Sequence, residues 1–276
     1  MTARARLLIV NPGAGAVTDA VMERLRREFP ECEVVHFPPD SDQIRSLPGR
    51  SLVIACGGDG TIAAVARRLA GTTHAFGVVP MGTFNNFARS LDLPTELDAA
   101  IGVIKTGQPR GVTIGQVNGN LFLEAAAIGL FGDSIALGEA AKDLHYGEVL
   151  DALAAVASGQ RFPFRVSGDV ELSGEAVTIV VANTPYTGAR MPVGETTPEM
   201  PYLDLAIDGG TKLGVPARVL EAVVRGQPPK GVQAYRVRHV RIETDPPMHV
   251  HADAARAGST PADIEAIPNG LTVILP

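Results

Sequence analysis

Near the start of the chain, a short apolar run passes three times into a glycine-containing turn and then into a helical pattern. The apolar runs are Leu7–Val10, Leu52–Ala55 and Phe76–Val79, and the turns that follow them are Asn11–Gly15, Gly57–Thr61 and Pro80–Thr83. Short apolar runs bounded by turn residues are typical of buried strands. Glycine lets the backbone approach a ligand closely, and the N–H groups at a helix start attract anions. The pattern therefore predicts a phosphate site built from three turns.

The helical segments between these strands support a parallel α/β arrangement. Helices are predicted at Thr18–Phe29, from Gly60 to about Gly71, and at Asn85–Leu91. In the first helix, Val21, Leu25 and Phe29 are spaced by four residues on one face, and Thr18 is suited to cap the start. Regular alternation of strand and helix predicts a parallel sheet with ligands at the carboxyl ends of the strands.

The pattern changes near Gly111, where β-prone runs become frequent. Residues 112–127 read as a hairpin, because Asn118-Gly119 suits a type I′ turn. Two helices are then predicted at Ile135–Leu144 and Gly147–Ala157, and another at Pro216–Arg225. The remaining runs predict strands at Phe162–Ser167, Ala176–Ala182, Leu203–Ile207, Gln233–Glu243, Met248–Asp253 and Leu271–Leu275. This order predicts an α/β domain at 1–112 and an antiparallel β-sandwich domain at 113–276.

Composition narrows the range of partners. The 276 residues are 45% hydrophobic and 20% charged, with a net charge of −6 and a pI near 5.5, so nucleic acid is not an expected partner. The only cysteines, Cys32 and Cys56, are expected to be buried free thiols. No secretory leader and no apolar run of about 18 residues is found, so we expect a cytoplasmic protein that meets membranes only peripherally.

The segment Gly57-Gly58-Asp59-Gly60-Thr61 is the sharpest chemical feature. An acidic side chain among glycines that attract phosphate is repulsive unless a cation bridges the two groups or the acid is protonated. Magnesium–nucleotide chemistry satisfies this requirement. The P-loop pattern GxxxxGK[ST] is absent, and GxGxxG is not matched cleanly. A strand–turn–helix with glycines also occurs for structural reasons alone, and the aspartate is what favours a ligand site.

Taken together, several motifs resemble those of the diacylglycerol-kinase catalytic-domain family, which includes bacterial soluble lipid kinases and sphingosine kinases. The motifs are Asn11-Pro12-x-Ala14-Gly15, Gly57–Thr61, Pro80-x-Gly82-Thr83-x-Asn85-x-Phe87-Ala88-Arg89, Phe122–Leu130, Asn183-x-x-Tyr186-x-Gly188-x-x-Met191, Val250–Asp253 and Leu271–Pro276. The combination is specific, whereas the Gly57–Thr61 motif alone is shared with NAD kinases. The resemblance extends along nearly the whole chain.

The resemblance implies an ATP-dependent kinase that phosphorylates a hydroxyl of diacylglycerol or a related lipid. It implies an N-terminal three-layer domain with a parallel sheet, similar to NAD kinase and phosphofructokinase, and a C-terminal antiparallel β-sandwich, with the active site in the cleft. The extreme C-terminus is expected to return to the first domain. ATP and Mg²⁺ are the implied cofactors, and a lipid with a free hydroxyl is the implied partner. A homodimer is compatible with the sequence, which leaves the oligomeric state open.

The resemblance also implies site residues. ATP is expected to contact three groups of residues, namely Asn11 and Gly13, then Gly57, Gly58, Asp59, Gly60 and Thr61, and finally Gly82, Thr83 and Asn85. Asp59 and Asp253 are the expected catalytic residues, and no metal centre built from protein side chains alone is assigned. The protein need only align the hydroxyl with the γ-phosphate and neutralise charge.

Several acidic positions of the family are absent. Asn86 and Thr113 stand where the family has aspartates, and the Asp-Asp-Gly stretch of bacterial members corresponds to about Glu199–Pro201, with only Asp204 kept. The glutamate usually assigned as general base is Ala255. Losing a general base costs a factor of about 10² to 10⁴ in rate. Asp253 is a candidate replacement if it shares a strand face with Ala255, and Asp59 is another.

These departures leave alternatives open. One is a nucleotide- or lipid-binding homologue that kept the fold and lost turnover, for which Ala255, Asn86 and Thr113 are the evidence. Another is a kinase for NAD or a further soluble hydroxyl compound. The second domain lacks the acidic, asparagine-containing motif expected of NAD kinases, which makes this last alternative the weakest.

Overall fold

The computed structural model describes residues 6–14, 16–40, 43–44, 46–129, 161–188, 190–210, 225–228, 231–253 and 255–276. The chain divides into two compact units. The first consists of Met1–Thr113 together with Pro268–Pro276, and the second of Ile114–Ile267. The helices predicted at 135–144 and 147–157, and nearly all of the one predicted at 216–225, lie outside the described residues.

The first unit alternates strands and helices as the sequence predicts. Its elements are β1 (Arg6–Val10), α1 (Asp19–Glu28), β2 (Glu33–His36), β3 (Leu52–Gly57), α2 (Asp59–Leu69), β4 (Ala75–Pro80), α3 (Asn86–Ser90) and α4 (Leu97–Thr106). The strands are parallel in the order β2-β1-β3-β4. Beside β4 lies the end of the last strand, β18 (Ala262–Leu275), where Val273 pairs in parallel with Phe76. The predicted parallel sheet is confirmed.

Local sequence explains how these helices begin and pack. Thr18 caps α1, because its Oγ1 accepts a hydrogen bond from the Val21 N–H at 3.4 Å. Met22 and Leu25 of α1 are buried in a core that also contains residues of β1, β3, β4 and α4. The cysteines are both free; Cys56 is buried as expected, but Cys32 is only half-buried, which corrects the expectation for that residue.

His74, just before β4, is a buried hydrogen-bond acceptor. The Ser51 N–H donates to its Nδ1 at 3.2 Å, and burial lowers the pKa of its imidazole from 6.5. The folded protein therefore binds a proton here less readily than the unfolded chain does. The resulting stability is complete above pH 6.5 and is lost as the pH falls below that value.

We expect the unfolding free energy of the wild type to fall more steeply than that of His74→Asn as the pH is lowered below 6.5. Asparagine offers an acceptor oxygen but does not titrate in this range. Urea denaturation of both proteins at several pH values measures the difference in slope. Parallel curves for the two proteins would contradict this assignment.

The second unit is built from antiparallel strands. The strands are β5 (Gln108–Val117, which enters from the first unit), β6 (Asn120–Phe122), β7 (Ala125–Gly129), β8 (Phe162–Gly168), β9 (Leu172–Ala176), β10 (Thr178–Ala182), β11 (Tyr186–Thr187), β12 (Met191–Pro192), β13 (Leu203–Asp208), β14 (Val232–Val237), β15 (His239–Thr244), β16 (His249–Ala252) and β17 (Ala255–Ser259). One sheet has the order β14-β13-β10-β7-β16-β17. Beside it, the start of β18 pairs with β15, β15 pairs with β8, and β8 pairs with β9.

One apolar core joins these two sets of strands. Ile128, Ile179 and Leu205 come from the first set, and Val240 and Ile264 come from the second; all are buried in the same cluster. This packing of sheet against sheet confirms the predicted β-sandwich. Within the described residues, no helix is long and apolar enough to cross a membrane.

The hairpin predicted around Asn118-Gly119 is present, but its second arm is shorter than expected. Asn118 and Gly119 have φ of 48° and 81°, as a type I′ turn requires, and Val117 pairs with Asn120. The arm predicted to reach residue 127 ends at Phe122, because the chain then crosses to the other sheet as β7.

A similar crossing divides the strand predicted at Gln233–Glu243 into β14 and β15. Arg238 lies at the break, and its N–H donates to the Asp169 carboxylate at 2.5 Å. The His239 N–H reaches the same oxygen at 3.1 Å. These backbone hydrogen bonds lower the pKa of Asp169. The Asp169 carboxylate thus accepts hydrogen bonds from two backbone N–H groups at the point where the chain passes from one sheet to the other and the strand pairing is interrupted.

Candidate functional site

The turn after β1 is tied to the start of α2 by one asparagine. The Asn11 N–H donates to the Cys56 carbonyl at 3.0 Å, which continues the pairing of β1 with β3. Its side-chain Oδ1 accepts from the Gly13 N–H at 3.0 Å, and its Nδ2 donates to the Thr61 Oγ1 at 2.8 Å. Asn11, Gly13 and Thr61 are therefore brought together, as the sequence predicts for neighbouring parallel strands.

The turn after β3 leads directly into α2, and its backbone at Gly57 is tightly packed. A Cβ at Gly57 would lie 2.7 Å from the Thr61 side chain, so only glycine fits there. Gly58 is the N-cap of α2 and no side chain caps the helix. Gly60 is exposed, and a Cβ added there would meet open space. The first N–H groups of a helix have no partner within the helix, and here they start beside an open surface, which is the arrangement that anions bind.

The turn after β4 is closed by Asn85. This buried residue has a left-handed φ of 52°; its Oδ1 accepts from the Gly82 N–H at 2.9 Å, and its Nδ2 donates to the Gly82 carbonyl at 2.8 Å. Asparagine suits this position, since it tolerates the left-handed region and bonds its own turn. Thr83 is exposed on the same turn.

The second and third turns are held against each other. The Asn85 N–H donates to the Asp59 Oδ2 at 2.8 Å. A Cβ at Gly82 would lie 2.8 Å from the Gly58 Cα, so the two glycine backbones are nearly in contact. The carboxylate of Asp59 is thus fixed at the start of α2; it is half-buried, and Gly60 on its own turn and Thr83 on the neighbouring turn are exposed.

Asp59 is the carboxylate of this site that could act together with a phosphate ligand. Burial raises the pKa of the neighbouring Cys56 thiol to about 12, so it adds no charge near neutral pH. Across the described ranges, no group of three or more His, Cys, Asp or Glu side chains could hold a metal ion. A site of one carboxylate plus phosphate oxygens is how proteins usually bind Mg²⁺, so Asp59 fits that ion as part of a magnesium–nucleotide complex.

Asp253, in the second unit, occupies a turn rather than a strand. It has a φ of 51° between β16 and β17, and Ala252 pairs with Ala255 across that turn. Asp253 and Ala255 therefore do not share a strand face, which corrects the expectation drawn from their spacing. The Asp253 carboxylate accepts from the N–H groups of Leu123, at 3.2 Å to each oxygen, and of Glu124, at 2.9 Å.

Sequence reasoning missed Glu124 as a residue of this region. Its carbonyl accepts from the Asn183 N–H at 2.8 Å, and its Oε2 accepts from the Gly188 N–H at 3.2 Å. The sequence feature that could have indicated Glu124 is the position of an acidic residue directly before the apolar strand β7. Its importance depends on the long-range contact with Asp253, which periodicity does not reveal.

Three further positions of the family pattern, two altered and one kept, are buried. Asn86 and Thr113 are both buried. Asp204, the acid kept from the Asp-Asp-Gly region, is buried, and its Oδ2 accepts from the N–H groups of Glu195 at 2.6 Å and Thr196 at 2.7 Å. Backbone amides therefore hold this carboxylate.

Two family models match the chain. Residues 5–117 match the diacylglycerol kinase catalytic domain, and residues 135–275 match the YegS C-terminal NAD kinase beta sandwich-like domain. A Staphylococcus haemolyticus protein named "putative lipid kinase" is 27% identical over 81% of this chain and 76% of its own length. A Synechocystis protein is 23% identical over 88% of this chain, which spans only 59% of that relative.

Solved structures of other proteins have a fold similar to that of this chain. A crystal structure titled as a "putative diacylglycerol kinase" from Bacillus anthracis superposes with a TM-score of 0.79 and 25% identity, covering 99% of this chain and 97% of that one. An Archaeoglobus fulgidus NAD kinase, solved in complex with ATP, superposes with a TM-score of 0.61 over 98% of this chain and 93% of that one. Its identity of 15% makes it evidence for the fold alone.

Proposed function

The chain belongs to the family that joins a diacylglycerol kinase catalytic domain to a YegS-type C-terminal domain, and from that premise we propose that it transfers the γ-phosphate of ATP to a hydroxyl of diacylglycerol or a related lipid. The observation that supports this most is the Asp59 turn. A fixed carboxylate lies at the uncapped start of α2, beside a glycine that opens onto free space.

The residues of the three turns would share the work of binding ATP. The N–H groups of Gly58, Asp59, Gly60 and Thr61 are offered to phosphate oxygens at the start of α2. Asn11 and Gly13 shape one side of this surface, and Gly82, Thr83 and Asn85 shape the other. Since these turns are fixed by their own hydrogen bonds, binding would cost little reorganisation.

Asp59 is the residue we propose to hold Mg²⁺, together with the phosphates. When bound, this ion neutralises charge that develops on the transferred phosphoryl group. Asp59 itself is kept in place by the Asn85 N–H, which would orient its carboxylate before the nucleotide arrives. The lipid acceptor requires the protein to meet a membrane surface, and we propose a peripheral contact for that purpose.

A direct assay tests this function. The full chain is incubated with Mg²⁺ and γ-³²P-labelled ATP, and with phosphatidylcholine vesicles that contain diacylglycerol, ceramide or sphingosine. We expect label in the lipid extract with diacylglycerol or a related acceptor, and none with pure phosphatidylcholine vesicles. Parallel reactions with NAD test the soluble-acceptor alternative. Label found only in NAD, or in no acceptor, would reject the lipid kinase function.

One observation favours a second function, that of a binding homologue without turnover. Ala255 replaces the family's usual general base, and Asp253 already receives the N–H groups of Leu123 and Glu124. Calorimetry distinguishes the two functions. Magnesium-dependent ATP binding without labelled product in any acceptor would favour the binding protein.

A further inference from the structure

Among the described residues, Phe84 is the one large hydrophobic side chain that is exposed, with 38% of its surface accessible. Phe87, three residues later, is buried in the core. A single exposed apolar residue is common on protein surfaces and by itself indicates nothing. The position of Phe84 is informative, however, because it lies in the third turn, between Thr83 and Asn85, which we propose to contact ATP.

The backbone on either side of this ring is fixed. The peptide unit between Phe84 and Asn85 has both of its polar groups bonded. Its carbonyl accepts from the Arg89 Nε at 3.1 Å, and its N–H donates to the Asp59 Oδ2 at 2.8 Å. The Asn85 side chain also closes the turn onto Gly82. The apolar ring is therefore presented by a preorganised turn, so that a partner can bind it without first ordering the backbone.

An exposed cation accompanies the ring. Arg89 lies in the last turn of α3, and its Nε is bonded to the Phe84 carbonyl. In the part of the chain that the structure describes, no carboxylate pairs with this guanidinium. Its two amino groups are thus available to a phosphate, which a guanidinium binds as a fork. An apolar ring beside a cation is the combination that proteins use at membrane interfaces.

We propose that the third turn is the point at which the first unit meets a lipid bilayer, with the Phe84 ring in the acyl-chain boundary and Arg89 on the phosphate of an anionic headgroup. This inference rests on the proposed kinase function, because a lipid acceptor has to be collected from a bilayer. The net charge of −6 gives the whole chain no attraction to an anionic surface, so the attraction has to be local.

A nucleobase is the other partner that an exposed aromatic ring commonly meets. The base of ATP is at the opposite end of the nucleotide from the γ-phosphate. Phe84 instead adjoins Asn85, whose N–H is bonded to Asp59, the carboxylate that we propose to hold Mg²⁺. The ring therefore lies at the phosphate end of the proposed nucleotide site. The acceptor hydroxyl has to approach that same end, which favours the bilayer over the base as the partner of Phe84.

The first test uses a fluorescent reporter. The chain contains no tryptophan, so Phe84→Trp provides a single emitting residue at the proposed contact. Thr72→Trp is the matched control, because Thr72 is exposed just after α2, which runs from the end of β3 to the start of β4 and so ends at the opposite edge of the sheet. The probe is a vesicle of equal parts phosphatidylcholine and phosphatidylglycerol with brominated acyl chains. We expect the Phe84→Trp emission to shift to the blue and to be quenched, and the Thr72→Trp emission to stay unchanged. An unchanged Phe84→Trp spectrum, or equal quenching of both variants, would overturn the proposal.

The second test removes each half of the contact in the full chain. Phe84→Ser is expected to weaken sedimentation with these vesicles about three- to tenfold and to raise the KM for diacylglycerol in vesicles by a similar factor. Its kcat with monomeric dioctanoylglycerol and its affinity for magnesium–ATP should stay at the wild-type values. Arg89→Gln is expected to weaken binding to the phosphatidylglycerol vesicles about fivefold and to leave binding to pure phosphatidylcholine vesicles unchanged. Thermal unfolding checks that both variants are folded.

The outcomes separate this contact from the kinase function. If the wild type phosphorylates dioctanoylglycerol but Phe84→Ser binds vesicles as the wild type does, the contact is refuted and the kinase function stands. Weaker magnesium–ATP binding by Phe84→Ser, with unchanged vesicle binding, would assign the ring to the nucleotide and would also refute the contact. If residue 84 enters the bilayer but no lipid is phosphorylated, the kinase function is rejected while the membrane contact remains.

Discussion

Replacing Asp59 by asparagine is expected to lower kcat for phosphate transfer at least about 10²- to 10³-fold, which is the typical cost of removing one electrostatic stabiliser from an active site. The cause would be the loss of the negative charge that we propose to hold Mg²⁺ with the phosphates. The fold should persist, because an asparagine oxygen can still accept the hydrogen bond from the Asn85 N–H. Initial rates with saturating ATP and diacylglycerol vesicles measure the effect, and thermal unfolding checks the fold.

Asp19→Asn is the matched control for this experiment. Asp19 is the first residue of α1, as Asp59 is the first residue of α2, so both substitutions remove an acidic group from the first turn of a helix in the same unit. The effect of each on the helix dipole is expected to be below about 1 kcal/mol. An Asp59→Asn variant that retained the rate of Asp19→Asn would contradict the role proposed for Asp59.

Gly82→Ala is expected to destabilise the first unit by about 1–3 kcal/mol and to weaken ATP binding at least about tenfold. The added Cβ would lie 2.8 Å from the Gly58 Cα and 2.8 Å from the Asn85 Oδ1. Since one of these atoms belongs to the backbone, the second and third turns would have to move apart. Urea denaturation measures the stability, and calorimetry with magnesium–ATP measures the affinity.

Gly102→Ala is expected to have the opposite effect on the unfolding free energy. Gly102 lies inside α4 of the same unit, and a Cβ there would meet nothing within 4 Å. Alanine at such a helical position should stabilise by about 0.5–1 kcal/mol, because glycine loses more backbone entropy on folding. Equal stability of the two variants would show that the contact between the turns is not tight.

Features that depend on neighbouring residues were readable from the sequence. The apolar runs of β1, β3 and β4 are buried strands because each is apolar throughout its length. The Thr18 cap and the Asn118-Gly119 turn are equally local. Helix α4 also had a readable signal, since Ala100, Ile101 and Ile104 recur at helical spacing, yet it was not predicted.

Features that depend on distant residues were not readable. The turn at Asp253 looks like a strand end in the sequence, and only its hydrogen bonds to Leu123 and Glu124 set its conformation. The same holds where the chain crosses between sheets, after Phe122 and at Arg238, because continuous β-prone residues conceal the break. The hydrogen bond of Asp59 with Asn85 joins two motifs that the sequence could place only at the same sheet edge.

The first unit consists of two separate segments of the chain, and this affects how it can fold during synthesis on the ribosome. Residues 1–113 emerge early, yet Val273, which pairs with Phe76 of β4, is translated only after the entire second unit. Until then the edge of β4 that faces away from β3 has no strand paired with it. An unpaired strand edge is prone to associate with other chains. The nascent protein must therefore keep this edge protected through the synthesis of more than half its length.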